Sequence, residues 1–200
     1  EVPVVHASSG MRRIISLAYF LVWCWEEHVK AKALLGEEPD SKTVFLVDEV
    51  ESHLHPKWQR TVIPALMRVM NTLLSTSDVQ LLAVTHSPLI MASVEPFFDR
   101  TQDAWFDFDL IDSRVRLEQR QFFRHGDVRS WLVSEAFDMK SGYSLEAERV
   151  LEEASVALSD EKFSNADARA LDERLRGVLS ETDPFWMRWR FVAEKKGWLP

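Results

Sequence analysis

The run Val44-Phe45-Leu46-Val47-Asp48-Glu49 constrains the fold of this chain more than any other segment. Four consecutive apolar residues, two of them β-branched, end abruptly in two acids. Such a run predicts a short strand buried on both faces, as in a parallel sheet. A second run of the same kind, Gln80-Leu81-Leu82-Ala83-Val84, ends in Thr85-His86-Ser87-Pro88. Between the two, Pro56 suits the first turn of a helix, and Pro64 should kink or restart it. Leu66, Val69, Met70 and Leu73 continue an apolar helix face. Ser87-Pro88 supplies an N-cap and a proline at the first helical position. Strand, helix, strand, helix makes a βαβ unit, and hence an α/β fold with a parallel sheet.

Upstream, Ser8-Ser9-Gly10 precedes Ile14, Leu17, Ala18, Leu21 and Trp25 at helical spacing. The apolar stripe is broad, which predicts a buried helix. Residues Gly36 to Lys42 read as a polar loop. Beyond Phe98 the texture changes. Phe106, Phe108 and Leu110 alternate with acids, Asp112-Ser113 offers a turn, and Val115 and Leu117 alternate with charge, predicting an antiparallel hairpin. Asp127 should cap a helix through Ala136, Ser144 another through Leu158, and Leu171, Leu175 and Leu179 mark a third. Asp183-Pro184 opens a last helix, with Gly197 at its C-cap. The expected organisation is 1–98 as an α/β lobe, 99–126 as a hairpin region and 127–200 as a helical extension.

A net charge of -8 over 200 residues disfavours direct binding of nucleic-acid phosphate by this chain, because that needs clustered Lys and Arg. The single cysteine, Cys24, leaves no disulfide framework within the chain, so a reducing, cytoplasmic setting fits. The apolar run from Ile14 to Trp25 is too short to span a bilayer, and no signal peptide is visible. The sequence starts at Glu1 rather than Met, almost on top of a motif, which suggests a fragment or a processed product.

Ligands in open α/β sheets bind beyond the C-terminal ends of the strands. There Asp48 can hold Mg²⁺, usually through water, and Glu49 can serve as general base for an attacking water. Two solvated acids before a turn would look the same. His86, after the neighbouring strand, can reach the same phosphate end, although a histidine capping a helix is the simpler reading when it stands alone. Ser8, Ser9 and Gly10 open a helix whose exposed N–H groups and dipole favour an anion. Most Ser-Gly helix starts are only caps. The order of these elements is what separates the readings.

That order resembles the C-terminal lobe of ABC-type ATPase heads, in the branch with RecF, the structural-maintenance-of-chromosomes proteins and the OLD-like ATPases. Ser9-Gly10, flanked by Ser8 and Met11, resembles the signature motif, with Ser-Ser-Gly where two glycines are common. Val44 to Glu49 resembles Walker B, Glu51 to Pro56 the D-loop stretch, and Thr85-His86-Ser87 the switch-histidine loop. The resemblance covers roughly Ser8 to Phe98. It implies a P-loop NTPase-like sheet that binds ATP with Mg²⁺, with Asp48, Glu49 and His86 acting in cis. Ser9 and Gly10 would act in trans in a dimer of two heads, with His53 or His55 facing the opposite nucleotide.

No Gly-x-x-x-x-Gly-Lys-Ser/Thr occurs in the sequence, so ATP binding and hydrolysis should need a separate N-terminal Walker A lobe. The expected partners are that lobe, a second head and an effector or nuclease, with nucleic acid reached through the complex and no membrane. Two rival readings remain. One is a catalytically incomplete interaction module, with Trp186, Trp189 and Phe191 as its exposed aromatics. The other is a metal-dependent nuclease built on Asp48, Glu49, Glu51, His53 and His55.

Overall fold

The computed structural model describes residues 3–73 and 78–198, so the outermost bounds of the expected domains, Glu1 and Pro200, lie outside the described residues. Its contacts divide the chain into two compact units, Glu1–Asp138 and Met139–Pro200. The fold is mixed α/β with a parallel strand pair, an antiparallel strand pair and several helices.

In the first unit, α1 (Ser9–Leu35) precedes β1 (Lys42–Val47), α2 (Pro56–Leu73), β2 (Asp78–Ala83) and α3 (Pro88–Val94). β1 and β2 pair in parallel, from Lys42↔Asp78 to Val47↔Ala83, with α2 as the crossover. Helix caps follow the sequence. Ser8 caps α1 by accepting from Met11 N, and Ser87 caps α3 by accepting from Ile90 N, with Pro88 at the first position. α2 starts at Pro56 but continues through Pro64 without restarting. An interior proline costs about 3 kcal/mol. Burial of Val62, Ile63, Leu66 and Met70 outweighs it, at roughly 1.5–3 kcal/mol for each large side chain.

One core cluster joins Leu21 of α1, Val50 and Leu54 of the loop after β1, Val62, Ile63 and Leu66 of α2, and Ile90 of α3. Phe45, Val47 and Leu81 pack on it from one face of the strand pair. The other face is open, and here the expectation of strands buried on both sides fails. Val44 is 58% exposed, Leu46 71% and Leu82 44%. α1 also departs from expectation. Only Gly10 and Leu21 are buried, while Met11, Ile14, Ile15, Tyr19, Phe20, Val22 and Trp23 are exposed. A broad apolar stripe records how much surface a helix is built to bury, and the described residues cover only a part of this one.

β3 (Trp105–Ile111) and β4 (Arg114–Arg120) form the expected antiparallel hairpin. Asp112 and Ser113 both take positive φ, 51° and 61°, as a tight two-residue turn requires. Its faces are inverted relative to a solvated hairpin. Phe106, Phe108, Leu110, Val115 and Leu117 are exposed, whereas Asp107 and Asp109 are partly buried beside Arg120. Burial, then the neighbouring Asp109, pushes the Asp107 carboxyl above its ordinary value, against the opposing pull of Arg120.

Behind the hairpin, Phe98 stacks on Phe122 at 3.9 Å between ring centroids, and Trp105, Phe122 and His125 surround the fully buried Trp131. Asp127 caps α4 (Val128–Leu132), which ends short of the expected Ala136. Ser134 Oγ donates to the Trp131 carbonyl at 2.6 Å, occupying an acceptor that one more helical turn would use. Buried Glu95 ties the region together. Its carboxylate accepts from His125 N, Gly126 N and Trp131 Nε1 at 2.7–3.1 Å through Oε1.

The second unit contains α5 (Leu145–Ser159), α6 (Asn165–Val178) and α7 (Phe185–Lys196), with Gly197 as the left-handed C-cap of the last. Ala147, Val150, Ala154, Leu171, Leu175, Trp189 and Trp198 build its core. The aromatics that the interaction-module reading would put at the surface divide. Trp186 and Trp189 are buried, and only Phe191 is exposed. Trp189 Nε1 donates to Asp172 Oδ1 at 2.9 Å and Trp186 Nε1 to the Ser180 carbonyl at 2.8 Å, so both indoles are satisfied inside. Among the described residues no helix is long and apolar enough to cross a membrane.

Glu95→Ala should destabilise the first unit by about 3 kcal/mol, because it strands three donors, one of them the Trp131 indole. Urea unfolding followed by tryptophan fluorescence checks this. Glu95→Gln, which keeps one acceptor oxygen, should cost less.

Candidate nucleotide-site lobe

Parallel pairing places the residues after β1 and β2 at one edge of the sheet. The two exits are stitched by Val84 N to Val47 O (2.9 Å) and Val50 N to Val84 O (3.2 Å). Val50 and Leu54 are buried and anchor the loop after β1. Asp48, Glu49, His53 and His55 are left exposed on it, and His86 is exposed on the loop after β2. Glu49 and His53 adopt φ of 46° and 61°, uncommon for residues with a side chain. The loop is therefore held in a conformation that the surrounding contacts must impose.

Two of those contacts come from α1. Arg13 Nη2 donates to the Glu49 carbonyl at 2.8 Å and to the Asp48 carbonyl at 3.3 Å, which fixes the backbone of both acids and leaves their carboxylates unengaged by it. Gly10 is buried against the same loop. A Cβ there would lie 2.6 Å from the His53 carbonyl oxygen and 3.1 Å from the Trp58 ring. Only glycine lets the start of α1 approach so closely. Ser8, Ser9, Gly10, His53 and His55 thereby line one open depression of about 680 Å³, together with Leu54, Lys57 and Trp58.

His55 is engaged at the start of α2. Its Nδ1 accepts from Lys57 N at 3.2 Å, in the manner of an N-cap, so a neutral imidazole carries its proton on Nε2. Glu51 points its chemistry elsewhere, accepting from Thr85 Oγ1 and His86 N. The site thus has two groupings. Asp48, Glu49 and His86 follow the paired strands, and Ser8, Ser9, Gly10, His53 and His55 share the depression.

Among the described residues, no three His, Cys, Asp or Glu side chains come together as a metal-ligand set. A nuclease centre on Asp48, Glu49, Glu51, His53 and His55 gains no support from this arrangement, and Glu51 is already engaged. Mg²⁺ beside a nucleotide makes a smaller demand. It is usually held by one or two carboxylates, phosphate oxygens and water, and the exposed Asp48 at a strand end fits that donor set.

The roles of Arg13, Glu51 and Trp58 are absent from the sequence reading. Glu51 opens the D-loop stretch and Arg13 lies two residues beyond Met11 of the signature-like segment, but nothing in a motif says which carbonyl or amide a side chain meets.

Gly10→Ala should destabilise by about 1–3 kcal/mol through overpacking, reversing the gain of up to about 1 kcal/mol that alanine brings to a helix. Gly177→Ala in α6 meets open space and should give that gain. Denaturant midpoints of the two variants should move in opposite directions.

Residues 1–92 match the family model described as "AAA domain, putative AbiEii toxin, Type IV TA system". The chain is 24% identical over 164 residues to the "Retron Ec83 probable ATPase" of Escherichia coli, covering 80% of this chain and 27% of that protein. It is 29% identical over 94 residues to the "Retron Vc95 probable ATPase" of Vibrio cholerae serotype O1 biovar El Tor, covering 47% of this chain and 16% of that protein. The chain thus spans well under half the length of these curated relatives. The comparisons do not single out the RecF, structural-maintenance-of-chromosomes or OLD-like branch. They show that the chain is related to AAA-family ATPases of the AbiEii and retron kinds, and the family match spans Ser9, Asp48, Glu49 and His86.

Proposed function

We propose that this chain is a catalytically incomplete lobe of an ATPase head, of P-loop NTPase type, which docks onto further protein to complete a nucleotide site. The observation that carries the reading is the open apolar surface of the first unit. Exposed Met11, Ile15, Tyr19, Phe20 and Trp23 on α1, and exposed Val44, Leu46 and Leu82 on the strand pair, form faces of a kind that proteins cover. A phosphate-binding loop with its lysine, which this sequence lacks, is the chemistry such a partner would bring.

In the completed site Asp48 would hold Mg²⁺, which neutralises charge on the β and γ phosphates. Glu49 would take the proton of the attacking water, and His86 would hydrogen-bond that water or the γ-phosphate. Ser8, Ser9 and Gly10, with His53 and His55, would meet a nucleotide held by a second head. ATP would then join two heads and hydrolysis release them. An effector or nuclease partner in an antiviral-defence or DNA-linked complex is the partner class this reading expects, and the similarity to a toxin–antitoxin family and to two retron ATPases supports the association with such systems.

The test is ATP hydrolysis by this chain and by the longest natural form of the protein, each beside Glu49→Gln. The long form should hydrolyse ATP, Glu49→Gln should slow it by about 10²–10⁴-fold, and the chain alone should be inert. A long form that is inactive with its native Glu49 would overturn the catalytic assignments and leave a docking module.

A further inference from the structure

Glu51 lies between the two loops of the candidate site, partly buried. Its Oε2 accepts from Thr85 Oγ1 at 2.6 Å and its Oε1 from the His86 backbone N at 2.6 Å. Both are short, as expected of bonds to a charged acceptor. Thr85 Oγ1 in turn accepts from Ser87 N at 3.0 Å. A second connection runs in parallel. Ser87 Oγ donates to Gln59 Oε1 at 2.7 Å, and Gln59 Nε2 donates to the Leu54 carbonyl at 3.0 Å. The loop bearing Asp48 and Glu49 is thus bonded to the loop bearing His86 at Glu51 directly and at Leu54 through Gln59.

We infer that Glu51 is a positioning residue, whose carboxylate sets the place of His86 relative to Asp48 and Glu49 and couples movement of one loop to the other. The inference deepens the nucleotide-site reading and, for its effect on turnover, rests on it. It assigns Glu51 no contact with nucleotide or metal. The charge of a carboxylate strengthens both bonds. Two donors converge on it, so both oxygens must accept. Glutamine has the same shape but is neutral and offers one acceptor oxygen, so its oxygen can serve only one of the two donors, and meeting the His86 amide with it makes Thr85 Oγ1 turn its proton away and accept from the NH₂ group. Glu51→Gln therefore removes the charge from both bonds, and reverses one of them, at nearly constant volume. Thr85→Val removes one arm from the other side, and Thr85→Ser restores it.

The structural arm of the test uses this chain. In ¹H–¹⁵N NMR, the His86 amide should be shifted downfield and slow to exchange with water. Glu51→Gln and Thr85→Val should move it upfield and speed exchange about tenfold or more, while Thr85→Ser should resemble the parent. A His86 amide that is unaffected by Glu51→Gln overturns the strut, whatever the chain's activity.

The functional arm uses the longest natural form. Glu51→Gln should lower kcat about tenfold or more with KM for ATP little changed, and should add nothing on a His86→Ala background. Equal, additive losses on both backgrounds overturn action through His86. If the parent long form has no ATPase activity, the nucleotide-site reading fails, and the NMR arm alone decides the strut.

Discussion

The parallel ladder from Lys42↔Asp78 to Val47↔Ala83 is the constraint on which the candidate site depends. Parallel strands share a direction, so their C-terminal exits lie side by side, and residues distant in sequence meet at one edge. A ladder of two strands aligns only backbones. The loops that leave it are set by side chains. Val50 and Leu54 sink into the core, Arg13 holds the carbonyls of Asp48 and Glu49, and Glu51 ties the first exit to the second. The acids and His86 stay exposed because other residues do the holding. This division between residues that fix a loop and residues that it presents lets a reactive group remain free without making the loop loose.

The same unit leaves much apolar surface open. β1 and β2 cover their Phe45, Val47 and Leu81 face and expose Val44, Leu46 and Leu82. The hairpin turns Phe106, Phe108, Leu110, Val115 and Leu117 outward and partly buries Asp107 and Asp109. α1 buries only Gly10 and Leu21. A two-stranded sheet is marginal in water by itself, and β1 and β2 owe their place to the core packed on one of their faces. The second unit presents a different balance. Its Ala-rich helix contacts and three buried tryptophans, Trp186, Trp189 and Trp198, make a closed core. Asp172 is buried where it accepts from Trp189 and pairs with Arg176. A buried carboxylate survives there because it is bonded on both sides.

Much of the local structure was legible from residues in order. Ser8, Ser87, Asp127 and Ser144 cap the helices they precede, since capping is chemistry between near neighbours. The βαβ unit and the hairpin follow from apolar runs and turn residues. The differences in burial share one cause. An apolar run states how much surface a segment could bury, but not how much this chain provides to cover it. Hence β1, β2 and α1 read as buried and are half open, whereas Trp186 and Trp189, candidates for exposure only in the interaction-module reading, are enclosed. Pro64 was expected to kink or restart α2, and the helix runs through it without a restart, held by the burial of neighbouring side chains.

By itself the sequence determined the order of elements, the caps, the parallel strand pair and the types of chemical group at the strand ends. These depend on periodicity and on bonds spanning a few residues. Only the tertiary structure decided that Gly10 must stay bare against the His53 carbonyl, that Arg13 grips the backbone of the acids, and that Glu51 faces Thr85 and His86. Each of those contacts joins residues more than thirty positions apart. Their geometry exists only after the core has packed, so no local pattern could encode it.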